Sequence, residues 1–170
     1  MKTFVEVYSK LIGIELEGIA FMPMANADTP DVVADLMKST FWFSGAVRLG
    51  FVGVPDFFLT WVPDQDTCAL GITLKPLWGR FSLDEITMSP EEPWDALNRV
   101  TLRGLKLYTC DAVSKGKIVA VEHQFARGHL AVNFWVATCY RGKIGDGDDL
   151  IVGIDIPSGD RLNLIEACAL

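Results

Sequence analysis

The sequence predicts an α+β fold: a single globular domain over residues 1–170, with a largely antiparallel, strongly curved sheet approaching a partial barrel and two or three helices. Three observations carry that expectation. Apolar runs broken by short turns recur from Phe41 onward, helix signals gather toward the front with one in the middle, and Lys117–Tyr140 has the pattern of a long β-hairpin.

The hairpin organises the rest. A two-residue turn at Arg127-Gly128 would set Ala126 opposite His129, Phe125 opposite Leu130, His123 opposite Val132, Val121 opposite Phe134 and Val119 opposite Val136. Opposed residues share a face, so one face becomes apolar apart from His123. The other carries Ile118, Ala120, Glu122 and Gln124 against Ala137, Trp135, Asn133 and Ala131. A one-residue slip would mix the two faces. Arg-Gly is a weak turn signal, because a type I′ turn asks Arg127 for positive φ. Leu130–Tyr140 is apolar on nearly both faces, which places it centrally with a layer on each side.

The other elements follow in order. Phe4, Val7, Tyr8 and Leu11 recur at helical spacing, predicting an amphipathic helix over Thr3–Ile12 that Gly13 ends. Ile14–Met22 alternates imperfectly as a strand. Asp28-Thr29-Pro30-Asp31 is a helix start, with Thr29 as cap and Pro30 at the first helical position, and Val32, Val33, Leu36 and Met37 form a core-packing stripe through Lys38. Strands follow from Phe41, with Pro63-Asp64-Gln65-Asp66 as a four-residue hairpin loop and Gly45, Gly50 and Gly53 marking bulges. Leu74–Ser89 is irregular, and Ser89-Pro90-Glu91-Glu92 opens a helix carrying Trp94 and Leu97. Strands are then expected over Thr101–Ala112 and Leu150–Ile156, a polar loop over Tyr140–Asp149, and a closing strand or short helix over Arg161–Leu170.

Composition excludes several classes. Half the residues are hydrophobic and 22% charged, too apolar for disorder. Fifteen basic against 22 acidic residues give a net charge of −7 with no Lys/Arg cluster, which argues against nucleic acid and anionic membranes and suits a basic protein or a cationic ligand, although solubility alone explains it as well. No apolar run reaches a membrane span, and Glu6, Lys10, Glu15 and Glu17 interrupt any signal-peptide core. Cys68, Cys110, Cys139 and Cys168 lack metal-ligand spacing and read as reduced thiols of a cytoplasmic protein.

Chemistry has few places to reside. Glu122, Gln124, Asn133 and Trp135, with His129 near the turn, could hold a small polar or cationic ligand, and Glu122 could act as a base if burial raised its pKa. His123 points to the apolar face and reads as a core histidine. Asp146, Asp148 and Asp149 form an acidic loop without EF-hand order, so no metal is expected and the loop is a candidate contact with a partner. Of five tryptophans, Trp78, bracketed by Pro76 and Gly79, is expected to be exposed and most others to be core. No nucleophile elbow or phosphate-binding loop occurs. The sequence therefore points to a non-enzymatic interaction module of neutralising or adaptor type, without cofactor. A ligand-binding or enzymatic pocket at Glu122 and Asn133 is the alternative, and homo-oligomerisation is open.

Overall fold

The computed structural model describes residues 1–24, 35, 37–64, 67–74, 86–88, 93–111, 116–155 and 164–170. Among these, 62% lie in strands and 9% are helical, in two antiparallel sheets that do not close into a barrel. The fold is mostly β, which corrects the expected α+β class, its two or three helices and its partial barrel. The α-helix described along its whole length, α1 (Lys2–Tyr8), stops short of Ile12 because the chain turns and Gly13 N–H donates to the Leu102 carbonyl at 2.8 Å. The helix expected near Trp94 is a four-residue 3₁₀ turn, Trp94–Leu97. Its N-cap residue, Pro93, makes no side-chain cap bond, and Asn98 is extended, so the turn ends after dropping Trp94 and Leu97 into the core. Of the expected helix over 29–38, all but Asp35, Met37 and Lys38 lies outside the described residues. Met37 is 75% exposed rather than part of a buried stripe.

One sheet has the order β5 (Thr67–Thr73), β4 (Val54–Asp64), β3 (Gly45–Phe51), β1 (Leu16–Pro23), β6 (Ile86–Thr87). The other runs β12 (Ile165–Ala169), β7 (Thr101–Thr109), β8 (Ala120–Arg127), β9 (Leu130–Tyr140), β11 (Asp149–Ile154), β2 (Thr40–Phe43), with β10 (Lys143–Ile144) added to the end of β9. Pro63 and Asp64 belong to the β4–β5 ladder, opposite Cys68 and Thr67, rather than to a four-residue loop. Gly50 falls where the β3 register shifts. The sheets share one apolar core to which β1–β5, β7–β9 and β11 all contribute. Aromatic rings dominate it: Phe21 packs on Phe41, Phe43 and Trp94, and Phe51 on Phe57 and Phe125.

The β8–β9 register differs from the expected one. Arg127 pairs with Leu130, Phe125 with Val132, His123 with Phe134, Glu122 with Trp135 and Gln124 with Asn133. The turn residues are thus Gly128-His129. Gly128 has φ +61 whereas His129 has no positive φ, the pattern of a type II′ turn with glycine at its first central position. Arg127 is spared the left-handed backbone that a turn one residue earlier would demand. The chain does make the type I′ turn from Arg-Gly elsewhere: Arg141 (φ +50) and Gly142 (φ +76) join the paired residues Tyr140 and Lys143. Because each opposing partner moves by two positions, the two faces keep their membership, and Phe125, His123 and Val121 still point inward.

This register predicts an asymmetry in urea melts. Gly128→Ala is expected to cost about 1 kcal/mol for a side chain at left-handed φ. Arg127→Gly should bring no gain. A gain of that size in Arg127→Gly would reinstate the Arg127-Gly128 turn.

Candidate functional site

Glu122 lies on the outer face of the seven-stranded sheet and is 5% exposed. Its cross-strand neighbours are Lys106 on β7 and Trp135 on β9, so it does not face Asn133 as expected. Tyr108 Oη donates to Glu122 Oε2 at 2.6 Å, and the Tyr108 ring stacks on Trp135 with centroids 5.1 Å apart. Trp135 is fully buried, in a second apolar cluster with Cys110, Val119, Ala120, Ala137, Cys139 and Ile151. Lys106 Nζ lies 3.6 Å from Glu166 Oε2 on β12. Gln124 faces Asn133, both half-buried, and Gln124 folds over Gly104, where a methyl would come within 2.6 Å of its Oε1. His129 is exposed in the hairpin turn, seven residues along the chain from Glu122. The expected constellation is therefore brought together as a packed row, without His129, and its carboxylate is hydrogen-bonded and walled by aromatic rings.

The acidic loop is tied to the fold. Thr138 Oγ1 donates to the Gly145 carbonyl at 2.6 Å, Gly145 N–H returns a bond to Thr138 O, and Asp146 Oδ1 accepts the Cys68 N–H at 2.7 Å. Asp149 is half-buried in β11, while Asp148 is exposed and its carbonyl accepts the Ser44 hydroxyl. Burial, then the charges of Asp146 and Asp148, push the Cys68 thiol up. Burial takes Cys139 up to about 12 despite a bond from the Gly142 backbone, so neither thiol is an activated nucleophile.

Trp78 lies outside the described residues. Among those described, the exposed tryptophan is Trp42, half in solvent at 50%, a position the sequence reading did not single out. It sits on β2, opposite Ile151, with its indole against the Arg141–Gly142 turn: a methyl on Gly142 would lie 3.3 Å from Trp42 Cδ1. The Arg141 guanidinium stands 5.3 Å over the ring of Tyr140, which is itself exposed. Trp42 and the Arg141–Gly142 turn it touches make a surface feature that sequence reasoning missed. The signal was present in Phe41-Trp42-Phe43: with both phenylalanines inward, period-two alternation sends the tryptophan out.

No protein-family model, curated protein or solved structure matches this chain.

The Glu122 geometry makes a prediction for thermal or urea melts. Tyr108→Phe removes the hydroxyl that Glu122 accepts and is expected to cost about 1–3 kcal/mol. Glu122→Gln keeps a side-chain oxygen acceptor and should stay within about 1 kcal/mol of the parent. A Tyr108→Phe protein as stable as the parent would mean that this bond contributes nothing to the fold.

Proposed function

We propose that this chain is a non-enzymatic protein-interaction module that docks a partner through Trp42 and the Arg141–Gly142 turn beside it. The exposure of Trp42 carries this reading. Tryptophan and arginine are among the residue types that most often dominate binding energy, and here Trp42 lies against the turn that carries Arg141, at one end of a sheet whose other large rings are mostly buried. The packing of Glu122 against Tyr108 and Trp135 favours it further, since a carboxylate enclosed by its own fold is poorly placed to receive a substrate. A net charge of −7 and the exposed Asp148 beside Ser44 favour a partner that is basic overall, attracted at long range and then seated on Trp42. Neutralising and adaptor roles both fit this description.

The test begins with affinity capture using the parent and Trp42→Ala as baits, followed by calorimetric titration of whichever purified protein the parent retains. Trp42→Ala is expected to lose at least about tenfold in affinity with an unchanged melting temperature, and Glu122→Gln to bind like the parent. Raising the salt from 50 to 500 mM should weaken the complex if charge steers it. Undiminished binding by Trp42→Ala, or loss of binding only in Glu122→Gln, would reject this docking surface.

A further inference from the structure

We propose that α1 is an acid-releasable plug, latched to the sandwich interior by the hydroxyl of Tyr8 on the imidazole of His123. Both side chains are fully buried, and Tyr8 Oη lies 2.6 Å from His123 Nε2. The other ring nitrogen, Nδ1, lies 3.0 Å from the Phe134 carbonyl. A carbonyl only accepts, so Nδ1 carries the proton of the neutral ring. Nε2 is then the acceptor and Tyr8 the donor. Among the described residues this is the only side-chain hydrogen bond from α1 to the sheets, and the helix has only seven residues. A helix of that length has little stability of its own and depends on docking.

Protonation breaks this arrangement. A proton on Nε2 leaves two donors facing each other, and the Tyr8 oxygen can accept from Nε2 only by turning its own hydrogen into the apolar core. The groups facing the ring are Tyr8 from α1, Leu105 from β7, Phe125 from β8 and Phe134 from β9. None is a carboxylate, and Glu122 points to the opposite face. Burial accordingly holds His123 down at about 4, partly offset by the bond to Phe134. The strands flanking the ring are locked in ladders. The route that hydrates an imidazolium with least disruption is the swing of α1 about the turn at 9–13, with the Gly13–Leu102 bond left in place.

The sign follows from the two states. His123 titrates near its ordinary value once hydrated and near 4 when latched, so latching is fully present above about pH 6.5 and is lost as the pH falls toward 4. Hydrogen exchange of the full chain, corrected for intrinsic rates, tests it. Between pH 7 and pH 4.5 the opening of amides in residues 5–11 is expected to rise roughly 60-fold, while those of β8 and β9 keep their protection. His123→Gln should remove that rise. If that variant does not fold, Tyr8→Phe should open the α1 amides about fivefold or more already at pH 7, with β8 and β9 unchanged. Loss of protection in α1 and the strands in step would overturn the proposal. So would a rise that survives in His123→Gln, or Tyr8→Phe with parental α1 protection.

Discussion

The pairing of β8 with β9 is the constraint on which the larger sheet depends. β9 is hydrogen-bonded to β8 on one side and β11 on the other and carries β10 at its end, so its position relative to β8 places every strand beyond it. The II′ turn at Gly128-His129 fixes that position. It sends odd residues of β8 and even residues of β9 into the core. A shift of one residue would turn Glu122, without its Tyr108 partner, into the apolar core between the sheets and send Phe125 to the outer face. Each of those exchanges costs on the order of 2 kcal/mol or more, well above the few tenths that separate one turn dipeptide from another.

The same parity forces His123 inside and thereby positions α1. An imidazole in the core needs a partner at each nitrogen, because a buried unsatisfied polar atom costs about 1–3 kcal/mol. The adjacent strand offers a carbonyl to one nitrogen. The other faces away from the ladder, toward the space that α1 fills, and only a side chain brought from elsewhere can reach it. Tyr8 does so while its ring packs edge-on against Phe57 at 5.4 Å. Phe4 and Leu11 then settle with it. Helix, hairpin and core are therefore one problem solved together, and the helix carries the polar part of the solution.

This division explains what was legible in the sequence. Strand faces were readable because alternation is a local property: the inward set on β8 and the apolarity of β9 on both faces follow from the residues themselves. The turn was misplaced by one residue because Arg127-Gly128 and Gly128-His129 both contain a glycine, and a two-position change in pairing leaves the faces unaltered. The helix expected around Trp94 was not legible as a 3₁₀ turn, since Trp94 and Leu97 three residues apart suit either form. Alternation put Glu122 on the face opposite the apolar one, but its burial depends on Tyr108, fourteen residues away on β7, and no local pattern announces that stacking. Asp146 likewise looked available, and its partner is a backbone N–H on β5.

Trp42 and Trp135 show why position in the sheet, rather than residue type, separates packing from association. Both lie on the outer face of the same sheet, and both have apolar neighbours. Trp135 belongs to a strand paired on either side, so Tyr108 can stack on it and Ile151 lies in the same cluster. Trp42 belongs to the strand at the end of the sheet order, with β11 as its only ladder partner among the described residues. Its indole can be covered from one direction by the Arg141–Gly142 turn, and the rest of its surface meets solvent. An exposed aromatic on a terminal strand adds to the risk of unwanted association that proteins usually suppress with lysine or proline at such positions. Here Phe41-Trp42-Phe43 carries neither, and the arginine beside it is held against Tyr140 rather than over the strand. Among the described residues no protective side chain closes this face, and that is the physical basis for proposing that it meets a partner.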